Sequence, residues 1–183
     1  INFFILPISF LMLVGISNSV NLTDGLDGLA AGCSGIVFYG LGTEILMKEQ
    51  QELIIFSILC FSMSGMCLGF LKYNNYPAKI FMGDTGSLSI GAILGSIAIL
   101  TNSIFTLSIF SGIFIIESLS VIIQVSYFKI TKKFFNSGKR IFLMAPLHHH
   151  FELKGVQEQK IVENFWKINI LLVILGIVLK INL

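Results

Sequence analysis

Long apolar runs are the feature that most constrains how this chain folds. Of its 183 residues, 55% are hydrophobic and 12% are charged, whereas soluble domains carry about 25% charged residues. Six runs approach the roughly 20 residues that a helix needs to cross a bilayer: 3–20, 28–47, 53–71, 87–101, 104–127 and 164–181. We therefore predict an all-α, polytopic integral membrane protein. The fourth run is short and the fifth long, which leaves their boundary at 101–103 open.

Several other classes of protein do not fit the composition. A transmembrane β-barrel would show short segments that alternate apolar and polar residues, and these runs are continuous. The net charge of +2 is small and no nucleic-acid-binding motif occurs, so nucleic acid is not an expected partner. Cys33, Cys60 and Cys67 all lie within apolar runs. We interpret them as buried, reduced thiols rather than as disulfides or zinc ligands.

The polar residues gather in three connections, which follow the first, third and fifth helices. Successive connections of this set are separated by two crossings, so six helices would place all three on one side of the membrane. The second and third carry nine of the twelve Lys and Arg residues, while the opposite connection "KEQQE" is net acidic. Because basic loops remain in the cytoplasm, we expect the shared side to be cytoplasmic.

The first polar connection, "NSVNLTDGLDGLA", repeats a polar residue at every third position, in Asn18, Asn21, Asp24 and Asp27. On a helix the last three would cover an arc of about 120°, and so form one polar face. Glycines follow both aspartates and would allow a ligand to approach the backbone. The alternative is that one of these residues caps the next helix near Gly28. We favour a functional role, because ionisable groups at membrane depth are costly.

The second polar connection ends in "FMGDTGSL", where Asp84 lies between glycines just before a helix. A carboxylate in this setting suits Mg²⁺, which takes one or two protein carboxylates together with substrate phosphates. The alternative is again a helix cap, provided by Asp84 itself, by Thr85 or by Ser87.

The third polar connection contains all the histidines of the chain, consecutively, in "APLHHHFELKG". Neighbouring side chains on a helix diverge by about 100°, so His148, His149 and His150 do not all ligate one metal. Histidine can bind phosphate oxygens or transfer protons, and Lys139 and Arg140 add cationic donors upstream. The alternatives are a solvated surface or attraction to anionic lipid, and we assign the basic run 129–133 to lipid.

Glu117 is a carboxylate in the middle of the fifth apolar run, in "FIIESLSVIIQ". It would serve either a proton path or a hydrogen bond between helices, and we favour the structural role. Taken together, one face combines carboxylates, amides, glycines, imidazoles and cations, as phosphoryl transfer requires. A transporter is the competing class, but it would place polar residues along the helices towards the midplane.

Three stretches carry a resemblance to a known family. "NLTDGLDGLA", "FMGDTGSL" and "MAPLHHHFELKG" resemble, in the same order, the signatures of the phospho-N-acetylmuramoyl-pentapeptide-transferase family. The resemblance runs from about Asn18 to the C-terminus, and the triple histidine is its most specific part. It implies Mg²⁺-dependent transfer of phospho-N-acetylmuramoyl-pentapeptide from the UDP-linked precursor to undecaprenyl phosphate, giving lipid I and UMP in peptidoglycan biosynthesis. Sister transferases that use other UDP-N-acetylhexosamines are the alternative within this superfamily.

The resemblance also implies roles for individual residues. Asp84 would bind Mg²⁺ and act in catalysis with Asp24, His148 and His149. The expected substrate-binding residues are Asn18, Asn21, Asp24, Gly25, Leu26, Asp27, Asn74, Phe81, Lys139, Arg140, His149 and His150. Among these, Phe81 would stack on uracil.

The family fold implied by the resemblance has ten membrane helices, of which the six runs would be the last six. An adjacent Asp-Asp pair expected before this region is absent from the sequence, which begins with Ile1 and enters an apolar run at once. We therefore expect residues 1–183 to be a single transmembrane transferase domain, truncated at its N-terminus, in a bacterial inner membrane. The oligomeric state stays open, a homodimer included.

Overall fold

The computed structural model describes residues 5–181, and within them every regular element is a helix. The helices are α1 Ile5–Thr23, α2 Leu29–Leu46, α3 Ile54–Asn74, α4 Gly83–Leu100, α5 Ile104–Phe110, α6 Gly112–Phe135, α7 Leu147–Leu153 and α8 Glu158–Ile181. One turn of 3₁₀ helix, Gln51–Leu53, precedes α3.

Six helices in the described part of the chain are long and apolar enough to cross a membrane, namely α1, α2, α3, α4, α6 and α8. The predicted all-α fold with six spans is therefore confirmed, and the chain is a multi-pass membrane protein. The predicted start of the first span at Phe3 lies outside the described residues.

The fifth predicted span differs from the structure. A single helix over 104–127 was expected, but the chain breaks at Ser111 into α5 and a longer α6 that continues to Phe135. At the break, the Gly112 backbone lies against α8, since a Cβ there would be 2.7 Å from Leu172 Cδ1. Close packing against α8 thus accompanies the change of direction, at a Ser111–Gly112 pair of the kind where helices commonly kink.

The ends of the helices confirm that the three polar connections lie together. Asp27, after α1, accepts a hydrogen bond from the Ala78 amide after α3, and its own N–H donates to Glu158 at the start of α8, both at 2.8 Å. At the other end of the bundle, Lys48 after α2 donates to Ser103 after α4, at 2.8 Å. The connections after α1, α3 and α6 therefore meet at one end of the bundle, and those after α2 and α4 meet at the other.

Helix α2 is the centre of the bundle, because residues around its whole circumference are buried. Glycines bring its backbone close to its neighbours: a Cβ on Gly32 would overlap the Trp166 ring of α8, and one on Gly42 would lie 3.1 Å from Cys60 Cβ of α3. Small residues permit such approach between helices in lipid. The three cysteines are free and buried, as predicted.

Candidate active site

The first polar cluster does not form one helical face. Helix α1 ends at Thr23, so Asp24 and Asp27 lie on the turn that leads to α2, and the predicted fan of three side chains is wrong. The residue that caps α2 is Gly28, with φ 78°, and no side chain makes a cap hydrogen bond there. A positive φ is accessible to glycine without strain, which explains how the turn reverses the chain so tightly.

Asn21 and Asp84 form the contact that joins the first and second polar connections. The Asn21 amide nitrogen donates to Asp84 Oδ1 at 2.9 Å and lies 3.0 Å from Ser87 Oγ. Asp84 is exposed in the first turn of α4, and none of the three cap candidates there makes a capping bond. The Asp84 carboxylate is therefore available at the surface and oriented by a neutral donor.

Asp24 is the second carboxylate at this place. Partial burial raises its pKa from 3.8 to about 6, the nearby negative charge of Asp84 adds to the rise, and a hydrogen bond from the Gly83 backbone opposes it. The two neighbouring carboxylates of Asp24 and Asp84 create a region of negative potential. Such a region favours a bound cation.

Asn74 and Asp27 fix the second connection against the first. The Asn74 side chain accepts from the Gly28 N–H at 3.1 Å and donates to the Ile80 carbonyl at 2.9 Å, and only 4% of the residue is exposed. Asp27 accepts from the Ala78 N–H. Both ends of the Asn74 amide are thus engaged by backbone, so its observed role is to hold the two loops together.

The remaining predicted residues of these loops differ in accessibility. Phe81 is 76% exposed, so its ring is open to stack on a planar group. Leu26 is buried in the core. The Asn18 amide donates to the Val14 carbonyl of its own helix, at 2.8 Å. The contacts described for Asn18 therefore do not bring it into the Asn21–Asp84 cluster.

His148 is fully buried at 0% exposure and is held by Glu117, which is equally buried. Glu117 Oε1 accepts from the His148 backbone N–H at 3.2 Å, and Oε2 lies 3.3 Å from His148 Nδ1. On the opposite edge of the ring, Nε2 lies against Gly25, where a Cβ would come within 2.2 Å. A carboxylate within α6 is thereby linked through His148 to the loop that carries Asp24 and Asp27.

The other two histidines take separate partners, as expected for consecutive residues of a helix. His149 Nδ1 lies 2.6 Å from Glu152 Oε2, and its ring centroid is 4.2 Å from that of His148. His150 Nδ1 accepts from the Leu143 N–H at 3.1 Å. Of the three rings, His149 lies next to His148 and is partly exposed, so it is placed to meet a ligand.

The upstream cations lie elsewhere. Arg140 lines a groove on α6 together with Lys129 and Lys132. The backbone N–H of Lys139 donates to Thr131 Oγ1 at 2.9 Å, while its side chain is exposed. The structure therefore groups Arg140 with the basic end of α6 and not with the Asn21–Asp84 contact.

The described residues contain no group of three or more His, Cys, Asp or Glu side chains arranged to hold a metal ion. The residues that could hold one are Asp84 and, beside it, Asp24. This donor set fits Mg²⁺, which typically takes one or two protein carboxylates and completes its shell with water and substrate phosphates.

Sequence reasoning missed Glu158, which accepts the Asp27 N–H from a distance of 131 positions along the chain. It also left the partner of Glu117 undetermined. Carboxylates are common in the first turn of a helix, because they interact favourably with the helix dipole. The position of Glu158 at the start of α8 therefore gave no indication in the sequence that it binds the Asp27 N–H.

Comparison with known proteins defines the class first. The sequence profile of glycosyl transferase family 4 matches residues 1–102, more than half of the chain, and the chain belongs to this family. It is also similar to proteins named phospho-N-acetylmuramoyl-pentapeptide-transferase: 92% identical to that of Prochlorococcus marinus strain MIT 9312, 75% to that of strain CCMP1986 and 48% to that of Synechococcus sp. strain CC9311. These alignments cover 100% of this chain and 51%, 51% and 49% of the relatives. The chain thus spans about half the length of the curated relatives it matches, and the resemblance drawn from its motifs is confirmed.

Proposed function

We propose that the protein containing this chain transfers phospho-N-acetylmuramoyl-pentapeptide from its UDP-linked precursor to undecaprenyl phosphate, releasing UMP and forming lipid I for peptidoglycan. The observation that carries the proposal is the Asn21–Asp84 contact, with the raised pKa of Asp24 beside it. It places two carboxylates from distant parts of the sequence at one end of a membrane bundle. The names of the relatives support the choice of substrates.

Mg²⁺ is the proposed cofactor, held by Asp84. When bound, it would neutralise the charge of the precursor's pyrophosphate and favour attack of the lipid phosphate on the sugar-linked phosphate, with UMP as the leaving group. Two residues of the chain support Asp84 in this role: the Asn21 amide orients its carboxylate, and Asp24 adds a second carboxylate next to it.

The uridine part of the nucleotide is proposed to bind at the loops that Asn74 and Asp27 hold together. The exposed Phe81 ring supplies a stacking surface for uracil. The turn from Gly25 to Asp27 supplies backbone groups that a ligand can approach. His149, partly exposed beside the buried His148, is proposed to contact the phosphates.

We propose that this end of the bundle faces the cytoplasm of a bacterial cell and that the membrane is the plasma membrane. Nine of the twelve basic residues lie in the connections at this end or in the helix ends that flank them. Basic loops are retained in the cytoplasm, where the soluble UDP-linked precursor is also available. Residues 1–183 would then act as one transferase domain within the longer protein.

The test is UMP release by membranes that contain the full-length protein, supplied with undecaprenyl phosphate and Mg²⁺. UDP-N-acetylmuramoyl-pentapeptide is compared with UDP-N-acetylglucosamine. We expect release with the pentapeptide substrate alone. Release with UDP-N-acetylglucosamine alone would assign the protein to a sister transferase, and no release from folded protein with either nucleotide would contradict transferase function.

A further inference from the structure

A groove of about 590 Å³ lies between the last turns of α6 and the chain that leads to α7. We call it the α6 groove. Its apolar wall includes Val121, Val125 and Phe128, and its rim carries Lys129, Lys132 and Arg140. A polar rim of one sign above an apolar wall is the shape that an amphiphilic molecule would fill.

The α6 groove is a built feature, because specific contacts hold its outer wall to the helix. Gln124 Oε1 accepts from the N–H groups of Ile141 and Phe142, both at 3.0 Å, and Gln124 Nε2 donates to the Phe142 carbonyl at 2.8 Å. The Gly138 backbone also lies against the Phe128 ring, where a Cβ would come within 2.3 Å. These contacts fix the position of Arg140 opposite α6.

The charge of the α6 groove is uncompensated within the described part of the chain. Among the described residues that line it, three are cationic and none is acidic. No ion pair is formed by Lys129, Lys132 or Arg140 with a described residue. Each of the three residues is exposed, so a ligand can reach the cations.

We propose that the α6 groove binds an anionic phospholipid of the surrounding leaflet. The phosphate would be held by Lys129, Lys132 and Arg140, and an acyl chain would lie along Val121 and Val125. Clusters of basic residues where a membrane helix reaches the surface attract anionic headgroups, and arginine suits bidentate phosphate contact. The length of α6, whose last turn carries Lys132 and Lys133, brings this charge to the end of a membrane span.

The proposal is separate from the transferase function. None of the lining residues belongs to the Asn21–Asp84 cluster or to the triple histidine. Binding at the α6 groove therefore does not require the lipid to be the acceptor of the transfer reaction. Its failure or success leaves the UMP-release test unaffected.

The test compares two pairs of substitutions that remove the same charge. Lys132→Gln with Arg140→Gln removes two cations from the α6 groove, whereas Lys133→Gln with Lys139→Gln removes their sequence neighbours, which do not line it. All four side chains are exposed, so neither pair is expected to unfold the protein. Full-length protein in detergent is titrated with phosphatidylglycerol or phosphatidylcholine, and bound lipid is counted by native mass spectrometry.

We expect the groove pair to weaken phosphatidylglycerol binding about tenfold or more, the control pair to change it by less than about threefold, and phosphatidylcholine to bind weakly throughout. If both pairs of substitutions weakened phosphatidylglycerol binding equally, the binding would reflect general charge attraction and the proposal would be overturned. Unchanged binding in the groove pair, or equal binding of the two lipids, would likewise overturn it. Displacement of most of the bound phosphatidylglycerol by an equimolar polyprenyl phosphate would assign the groove to the lipid acceptor and also overturn the proposal.

Discussion

Asn21 and Asp84 are 63 positions apart in the sequence, yet the Asn21 amide donates to the Asp84 carboxylate at 2.9 Å. The contact depends on close packing of α1 against α4, since a Cβ on Gly91 would lie 2.5 Å from Ser17 Cα. The two polar connections are thereby joined at one end of two helices whose backbones nearly touch.

Asp84→Asn is expected to lower Mg²⁺-dependent UMP release by the full-length protein at least about a hundredfold. An amide keeps the shape of the side chain but removes the negative charge that would hold the cation. The rate is measured over a range of Mg²⁺ concentrations. Glu52→Gln, an exposed carboxylate beside α3 at the other end of the bundle, is the control and should retain the rate. Near-normal turnover by Asp84→Asn would contradict the metal assignment.

The raised pKa of Asp24 predicts a pH dependence of stability in the absence of Mg²⁺. The carboxyl titrates at about 6 in the folded protein and at about 3.8 when unfolded. Between about pH 4 and pH 6 the folded state binds more protons, so the free energy of unfolding falls as pH rises through this window. Thermal unfolding midpoints in EDTA, measured from pH 4.5 to pH 7, test this slope. Asp24→Asn should flatten it, and an identical slope in the variant would show the prediction to be wrong.

Glu117→Ala is expected to destabilise the protein by about 3 kcal/mol or more. The substitution leaves the His148 backbone N–H buried without an acceptor and removes the carboxylate oxygen that lies 3.3 Å from the buried Nδ1. Glu117→Gln retains an oxygen for the backbone N–H and should lose less. Thermal unfolding in detergent gives both values, with the exposed Glu163→Gln on α8 as control. If Glu117→Ala were as stable as the unsubstituted protein, the Glu117–His148 pair would have no structural role.

Gly25→Ala is expected to cost about 1–3 kcal/mol, because its Cβ would lie 2.2 Å from His148 Nε2 and force one of the two to move. His148→Ala removes the obstructing ring, so the double variant should be more stable than the sum of the single losses indicates. Unfolding free energies of the four proteins measure this coupling. Gly65→Ala, on α3 with nothing within 4 Å of the added Cβ, is the control and should be neutral or slightly stabilising. Strict additivity would contradict the contact.

Some features of the candidate active site can be recognised in the amino-acid sequence alone. The residue types of "NLTDGLDGLA", "FMGDTGSL" and "APLHHHFELKG" indicate phosphate and metal chemistry, and alternate crossings place these stretches on one side. The sequence does not indicate that Asn74 uses both ends of its amide on backbone, or that Arg140 lies in a separate groove on α6. These contacts depend on the orientation of each side chain in the folded protein. The residue types of a motif do not specify that orientation.

The sequence by itself determined the class of fold, the six membrane spans and the grouping of the polar connections. These follow from local composition, because a helix must bury roughly 20 apolar residues to cross a bilayer. Only the tertiary structure decided the break at Ser111, the pairing of Glu117 with His148 and the bond from Asn21 to Asp84. Each of these depends on how helices far apart in sequence are rotated and packed against one another, and small residues such as Gly91 and Gly112 set those distances.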